Sequence, residues 1–407
     1  GAAAPPRGRD ERAGVVLAGP LLMISSVARI NRYLAGALER DPSLALALDP
    51  TLAGEAPIAA FPHPAEWAAG LRRLPRRLDL TIRHGWPPDF TPPPAGRTAL
   101  ILPWEFGAIP RAWLPGLARA AEVWVPSAFV RDVLLTAGVE PGRIVVIPNG
   151  VNPELFCPEG ASARPPAARG TTFLFAGGAI RRKGMDLLLS AWRAAFTARD
   201  EVTLVIKDLG SHSFYRHLSL AAEIAAAARD PRPAPIIYLN DACSEAEMAA
   251  LYRGSDVLVL PYRGEGFGLP LAEALACGKP VITTAAGPAP EFCPLDAAWW
   301  VEAVARPVPV AMRPSGAMTG DLTWWEPSRA GLIAALRAAA SASEAERRRK
   351  GAIGAAHMRQ HYTWDAATGC YCERVTGLLG SGEPALGPIP LPVDAHGTPR
   401  TQGMALS

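Results

Sequence analysis

The stretch Asp256–Gly287 constrains the fold of this chain more than any other, because it holds predicted elements in a fixed order. Asp256–Tyr262 is a short apolar run rich in Val and Leu, which is typical of a buried parallel strand. A glycine-rich loop, Arg263–Gly268, leads into a predicted helix with Pro270 near its start and Gly278 just past its end. A second apolar strand then completes a βαβ unit.

The loop of this unit opens onto a helix N-terminus, where backbone N–H groups and the helix dipole favour an anion. Two carboxylates bracket the loop, Glu265 and Glu273, eight positions apart. A phosphate site with an acid on either side suggests a ligand that carries both phosphate and hydroxyl groups.

Strands alternate with helices along most of the 407-residue chain, which predicts parallel, doubly wound sheets in an α/β fold. A proline-containing segment near residue 165 is poor in large apolar residues and divides the pattern into two Rossmann-like halves. The predicted organisation is a flexible leader at 1–13, an N-terminal half at 14–165, a C-terminal half at 166–363, a last helix at 364–380 and a Pro- and Gly-rich tail at 381–407.

Composition excludes several classes of protein. The formal net charge is only +3, and no basic block is interleaved with aromatic residues, so a nucleic-acid partner is not expected. No run of 18 apolar residues occurs, so no transmembrane segment is expected. The six cysteines are scattered, with none in a C-x-x-C pair, which favours reduced thiols in a cytoplasmic protein and predicts no metal site.

A second loop, Gly177–Gly184, places Arg182 and Lys183 between a predicted strand and a predicted helix. The helix dipole disfavours cations at this position, so a bound anion would explain their presence. Backbone amides and flexible cations suit a diphosphate, and the alternative role for these cations is surface solubility.

The two loops together resemble those of the family-4 retaining glycosyltransferases, which have the GT-B architecture. The resemblance rests on the Gly177–Gly184 loop, on the spacing Glu265-x7-Glu273 and on the Gly278-x-Pro280-Val281 sequence that follows. It is supported by Val146–Asn152 ahead of the linker. The resemblance implies two Rossmann-like domains that face a cleft, with a nucleotide-sugar donor held by the C-terminal half and an acceptor held mainly by the N-terminal half.

The resemblance also implies roles for individual residues. Glu265 would face the donor sugar, and Glu273 would bind the ribose hydroxyls. Backbone amides near Gly268 would donate hydrogen bonds to the sugar and the diphosphate, while the region around Leu239 would contact the nucleotide base. The implied donor-binding set is Gly177, Gly178, Arg182, Lys183, Lys207, Leu239, Asn240, Glu265, Gly266, Phe267, Gly268, Leu269 and Glu273. The candidate catalytic residues are Glu265, Lys183, Glu105 and His84.

The implied reaction transfers a hexose from a UDP- or GDP-sugar with retention of configuration. Front-face attack, in which the leaving phosphate accepts the acceptor proton, requires no protein nucleophile, unlike the double displacement of retaining glycosidases. A fixed cation such as Lys183 would stabilise the charge that develops on the leaving diphosphate. The chain contains no Asp-x-Asp pair, so neither a metal nor a cofactor is expected.

The chain departs from the family pattern in three places. Gly178 stands where the family usually has an arginine, and Arg182 or Lys207 is the candidate replacement for that charge. Gly19–Ser26 replaces the usual glycine-rich loop on the acceptor side. Many members carry a histidine in the region where this chain has Trp104 and Glu105.

Glu105 and His84 follow predicted strands of the N-terminal half, where cleft residues of such folds lie. Glu105 could orient a substrate hydroxyl, and His84 is either a cleft residue or a structural histidine. Trp86 and Trp104 could stack on sugar rings or serve in packing.

Two alternatives remain open from the sequence. One is a phosphorylase or sugar-phosphate synthase of the same fold, and the other is a catalytically silent scaffold. The acceptor is unknown and could be a glycan, a small molecule, a lipid or a protein; the oligomeric state is also not predicted. Two expectations can be checked on a structure: Glu273 lies on the first turn of its helix, and the Trp364–Leu379 helix packs against the N-terminal half.

Overall fold

The computed structural model describes residues 12–21, 25–50, 75, 77–210 and 216–380. The tail predicted for 381–407 and most of the leader predicted for 1–13 lie outside the described residues, although Ala13 already belongs to the first strand. Part of the Gly19–Ser26 loop also lies outside them.

The N-terminal half is built on a sheet of six parallel strands in the order β2-β1-β3-β4-β5-β6. The strands are β1 Ala13–Ala18, β2 Leu44–Asp49, β3 Leu80–Arg83, β4 Arg97–Ile101, β5 Glu122–Val125 and β6 Ile144–Val146. Within the described residues, its helices are α1 Ser26–Glu39, α2 Leu114–Arg119 and α3 Ala128–Thr136. The strand order reverses between β1 and β3, which is the switch point of a flavodoxin-like sheet.

The C-terminal half holds a second six-stranded parallel sheet in the order β12-β11-β10-β7-β8-β9, with a switch point between β7 and β10. Its strands are β7 Thr171–Gly177, β8 Val202–Asp208, β9 Ile236–Leu239, β10 Val257–Leu260, β11 Val281–Thr284 and β12 Ala298–Val301. Its helices are α4 Met185–Ala195, α5 Ala221–Arg229, α6 Glu245–Arg253, α7 Leu269–Ala276, α8 Ala289–Phe292, α9 Arg329–Ser341 and α10 Glu344–His361. The predicted pair of doubly wound parallel sheets is confirmed.

The sheet of the C-terminal half is buried on both faces, as its sequence predicts. All four residues of β10 and all seven of β8 are buried, because helices cover both sides of a parallel sheet. Phe173 on β7 and Trp192 on α4 pack edge to face, with ring centroids 5.4 Å apart. The apolar runs seen in the sequence therefore become the central strands of the core.

The last helix, α11 Trp364–Gly380, returns to the N-terminal half and packs on its sheet. The ring of Tyr371 lies 5.3 Å from that of Trp124 on β5. Arg374 forms an ion pair with the buried carboxylate of Glu122, which also accepts a hydrogen bond of 2.6 Å from the indole of Trp124. Burial and pairing together fix this helix to the first half of the chain.

The chain passes between the halves twice, and the two passages are hydrogen-bonded to each other. The Val151 N–H donates to the carbonyl of Tyr362 at 2.8 Å, and the Trp364 N–H donates to the carbonyl of Val151 at 3.0 Å. Gly150 makes the close approach possible, because a Cβ there would lie 2.4 Å from the carbonyl carbon of Thr363.

A two-stranded antiparallel hairpin, β13 Ala303–Pro307 and β14 Thr323–Pro327, forms a further contact between the halves. The Gly107 N–H donates to the carbonyl of Thr323 at 2.9 Å, and the Thr319 N–H donates to the carbonyl of Ile109 at 2.9 Å. This hairpin is not predicted from the sequence, and it carries the Trp324–Trp325 pair in β14.

Candidate active site

The two glycine-bounded loops predicted to bind phosphate meet at the switch point of the C-terminal sheet. Neighbouring strands β7 and β10 run parallel, and each leads into one loop at its carboxyl end. Gly184 ends the first loop with φ +76°, and a Cβ there would lie 2.0 Å from the carbonyl oxygen of Pro261, which leads from β10 into the second loop. The loops can touch because Gly184 lacks a side chain.

Lys183 and Glu265 form a buried ion pair that joins the two loops. The ammonium group of Lys183 donates a hydrogen bond to Oε1 of Glu265. The lysine stem passes Gly177, where a Cβ would lie 3.3 Å from the lysine Cδ. A buried pair of opposite charges holds both groups in fixed positions, which is the arrangement expected of preorganised charge.

Arg182 links the loops to the other half of the chain. Its guanidinium donates to the carbonyl of Gly264 at 2.6 Å and lies 3.4 Å from the carboxylate of Glu105. Gly264 in turn packs on Glu105, because a Cβ at Gly264 would lie 2.4 Å from the carbonyl oxygen of Glu105. Glu105 therefore lies at the interface of the halves, beside the candidate donor loops.

The predicted replacements for the missing arginine charge at position 178 are both engaged with protein groups. Lys207, buried at the end of β8, donates to the carbonyl of Asp241. Arg182 has the partners given above.

Leu239 and Asn240, expected to edge a base, lie at the carboxyl end of β9 next to Lys207, with which Leu239 pairs in register. Both are half-buried. They lie at the end of the edge strand of the same sheet, two strands from β7.

Asp208 is hydrogen-bonded to the backbone of the Gly177–Gly184 loop and is not identified by sequence reasoning. Its buried carboxylate accepts hydrogen bonds from the N–H groups of Ala179 at 3.0 Å and Gly210 at 2.8 Å. Its second oxygen accepts the hydroxyl of Tyr238 at 2.9 Å. An acidic residue that ends an otherwise apolar strand is the signal that could have identified it.

The second loop continues into α7 through a left-handed glycine. Gly268 has φ +101° and stands directly before Leu269, the first residue of the helix. Phe267 is buried against Phe292, with centroids 4.7 Å apart, and the carbonyl of Gly266 accepts the hydroxyl of Ser127 at 2.7 Å. The backbone of this loop is thus anchored on both sides.

The expectation that Glu273 lies on the first helical turn is wrong. The helix begins at Leu269, so Glu273 lies on the second turn and points into the protein, with 4% of its surface exposed. Burial raises the pKa of Glu273, and the neighbouring Arg29 and the hydroxyl of Tyr252 oppose that shift. Arg29, on α1 of the N-terminal half, is a further residue at this site that sequence reasoning does not find.

His84 lies at the switch point of the N-terminal sheet, directly after β3, and is 1% exposed. Asn31 donates to the carbonyls of Pro20 at 2.9 Å and His84 at 3.1 Å, which leaves its Oδ1 to accept from Nδ1 of His84 at 2.7 Å. Nε2 is buried and has no hydrogen-bond partner among the residues that the structure describes, and burial lowers the pKa of His84 to about 3. The imidazole is therefore neutral, with its lone pair on Nε2.

Stacking on a sugar is not open to Trp104, which is 1% exposed. Its indole donates to the carbonyl of Ala108 at 2.9 Å, and its ring packs against Trp113 and Trp86. Trp104 is a packing residue at the base of an aromatic cluster.

Within the described ranges, no group of three or more His, Cys, Asp or Glu side chains is arranged to hold a metal ion. Among the helices that the structure describes, none is both long and apolar enough to cross a membrane.

Family comparisons agree with this arrangement. A model described as "Glycosyltransferase Family 4" matches residues 3–155, and one described as "Glycosyl transferases group 1" matches residues 170–306. The two matched segments fall on the two halves and together cover more than two thirds of the chain. The chain belongs to the family-4 glycosyltransferases of GT-B architecture.

Two curated proteins illustrate the relationship. The chain is 28% identical over 249 residues to "D-inositol 3-phosphate glycosyltransferase 1" of Catenulispora acidiphila, which covers 54% of this chain and 59% of the relative. It is 32% identical over 168 residues to "MMP alpha-(1->4)-mannosyltransferase" of Mycolicibacterium hassiacum, covering 41% and 37%. The matched regions thus span from about a third to three fifths of the curated relatives' lengths.

Solved structures share the fold at low sequence identity. A glycosyltransferase from Rickettsia africae superposes with a TM-score of 0.59 at 15% identity, covering 91% of this chain and all of that one. Sucrose-phosphate synthase from Thermosynechococcus elongatus superposes with a TM-score of 0.61 at 17% identity, covering 89% and 98%.

Proposed function

We propose that this protein is a retaining glycosyltransferase that moves a hexose from a UDP- or GDP-sugar to an acceptor hydroxyl. The observation that carries the proposal is the buried Lys183–Glu265 ion pair, which joins two glycine-bounded loops at the switch point of the C-terminal sheet. Ligands of doubly wound sheets bind at such switch points. The names of the curated relatives, both transferases of sugars, add support.

The proposed chemistry places each charge where the reaction needs it. Cleavage of the sugar–phosphate bond leaves positive charge on the anomeric carbon and negative charge on the departing diphosphate. Lys183 supplies a fixed cation beside the phosphate loop, and the carboxylate of Glu265 faces the sugar. Charge that is already in position stabilises the transition state without reorganisation.

Retention follows from attack on the face that the diphosphate leaves. The acceptor oxygen bonds to the anomeric carbon, the bond from that carbon to the diphosphate oxygen breaks, and the acceptor proton passes to the diphosphate. We propose this reaction without a metal or cofactor, because the sequence lacks an Asp-x-Asp pair. We also propose that it takes place in the cytoplasm, in keeping with six cysteines that form no disulfide.

The acceptor is best sought first among phosphorylated polyols. The relative from Catenulispora acidiphila is named for D-inositol 3-phosphate. A sugar-phosphate synthase activity would also use a phosphorylated acceptor. Glycan, lipid and protein acceptors form the next group to test, because loops of the N-terminal half decide the choice.

The proposal is tested first by donor binding. In a thermal-shift screen of UDP-, GDP- and ADP-sugars, a donor present at ~100 times its Kd should add about 2.7 kcal/mol of stability. Glu265→Gln serves as the matched variant, since it keeps the shape of the site and removes the charge. The absence of a shift with every nucleotide sugar would contradict the donor site.

Turnover is tested second, by following nucleotide release with candidate acceptors and determining the anomeric configuration of the product by NMR. Release that depends on the acceptor and gives a retained product is expected. Donor binding without any turnover would favour the silent scaffold.

A further inference from the structure

We propose that Arg29, on the N-terminal half, is a positioning residue that completes the ribose end of the nucleotide site in the C-terminal half. The proposal rests on the proposed function, in which Glu273 binds the ribose hydroxyls. It assigns to the donor site a side chain from the half expected to hold the acceptor.

The contacts of Glu273 support this role. The guanidinium of Arg29 lies 2.5 Å from Oε1 of Glu273, and the hydroxyl of Tyr252 donates to Oε2 at 2.9 Å. A carboxylate offers about four lone-pair directions, so each oxygen retains one for a ligand hydroxyl. Two oxygens held in this way match two neighbouring hydroxyl groups, such as those of a ribose.

Arg29 also keeps the carboxylate in the form that can accept both hydroxyls. A buried carboxylate without a partner takes up a proton or moves, because removal of its charge from water is costly. Arg29 supplies the opposite charge, and Glu245 and Arg32 extend the cluster, with Glu245 4.0 Å from each arginine. Two arginines and two glutamates make the cluster electrically balanced.

The position of Arg29 depends on how the halves are joined. Helix α1 is anchored by Tyr33, whose ring stacks on Trp364 at 4.5 Å, directly beside the chain passage between the halves. The contact between Arg29 and Glu273 therefore exists only when α1 lies against the C-terminal half. Ribose binding and apposition of the halves become coupled through this one side chain.

The experiment measures calorimetric binding of UDP and GDP, and of their 2′,3′-dideoxy forms, to the full chain and to three variants. Arg29→Met should weaken binding of the ribonucleotides about tenfold to a hundredfold, the range for loss of a charged hydrogen bond. It should also reduce the preference for ribo over dideoxy forms. Arg29→Lys should recover part of both. Arg40→Met, at the exposed C-terminal end of the same helix and outside the cluster, should keep the wild-type preference.

A kinetic readout adds a second criterion, since KM for the donor should rise in Arg29→Met far more than kcat falls. An unchanged ribo-to-dideoxy preference in Arg29→Met would overturn the proposal. Tighter ribonucleotide binding in Arg29→Met would also overturn it and would identify the ion pair as a competitor of the ribose. If Arg29→Met fails to fold, the ratio of ribonucleotide to dideoxynucleotide affinity in Arg29→Lys tests the proposal instead. Failure of the wild-type protein to bind any of the four nucleotides would instead contradict the proposed function itself.

Discussion

At the switch point of the C-terminal sheet, Lys183 and Glu265 form a buried ion pair, whereas the switch point of the N-terminal sheet holds the neutral pair His84 and Asn31. Both pairs are buried. Lys183 and Glu265 lie in the loops after β7 and β10, whereas His84 follows β3 and Asn31 lies on α1. The first pair supplies fixed charge and the second is uncharged. Fixed charge suits a diphosphate, so the difference matches the proposal that the C-terminal half holds the donor.

The largest expected effect comes from removal of the cation on the donor side. Lys183→Met should lower kcat/KM about 10²- to 10³-fold, the usual result of deleting one preorganised group that stabilises developing charge. Steady-state kinetics with the donor identified by binding provide the measurement. Arg181→Ala is the matched control, because Arg181 is in the same turn with a half-exposed side chain paired to Asp186 on the surface. A decrease in kcat/KM of less than threefold in Lys183→Met would contradict the proposal that the charge of Lys183 stabilises the leaving diphosphate.

The second effect concerns the contact between the two donor loops. Gly184→Ala should destabilise the fold by about 3 kcal/mol, since a Cβ at φ +76° would also collide with the carbonyl of Pro261. Gly138→Ala separates strain from collision, because Gly138 has φ +89° with open space around it, and it should cost only about 1 kcal/mol. Urea unfolding measures both. Equal losses would show that the loops do not press on each other.

The third prediction uses the pH dependence of the unfolding free energy to test whether the imidazole of His84 is neutral in the fold. The pKa of His84 falls from 6.5 in the unfolded chain to about 3 in the fold, because burial penalises the charged form. The unfolded state therefore binds more protons below pH 6.5, and the contribution of His84 to the unfolding free energy is lost as pH drops from 6.5 towards 3. Urea unfolding at several pH values should show less acid sensitivity in His84→Gln. If the unfolding free energies of the wild type and His84→Gln change with pH in parallel, His84 is not a buried neutral imidazole.

The smallest expected effect lies at a contact between the halves. Glu291 accepts the N–H groups of Ala128 and Phe129, both at 2.7 Å, at the start of α3. Burial raises its pKa from 4.5 to about 7, although these two amides oppose the shift. Its contribution to stability is thus complete below pH 4.5 and is lost as pH rises through 7. In urea unfolding at several pH values, Glu291→Gln should reduce the loss of unfolding free energy between pH 4.5 and 7. A larger loss in the variant than in the wild type would contradict a raised pKa of Glu291.

The two candidate donor loops could be predicted from the sequence because the residues that mark them lie close together in the chain. Glycine, proline and charge mark the loops within a few residues, and the spacing of Glu265 and Glu273 fixes both on one unit. The helical turn on which Glu273 lies was harder to predict, because the helix begins at Leu269, one residue ahead of Pro270. Boundaries of helices depend on cap geometry, which sequence alone specifies poorly.

Other features depend on contacts that no local pattern records. Strand β2 reads LALALD and is not predicted, because Ala and Leu are strong helix formers and the segment has no β-branched residue. The pairing of Arg29 with Glu273 joins opposite halves of the chain, and only the packing of α1 brings them together. The lone pair of His84 likewise follows from the orientation of Asn31.

The paired passages at Val151 and Thr363 determine how the two halves can move. A single connecting segment would allow the two halves to rotate relative to each other in any direction. Two segments that are hydrogen-bonded side by side restrict that rotation to one axis. We therefore expect any opening of the two halves to be a rotation about the axis of these paired segments, with the largest displacement at the edge farthest from it.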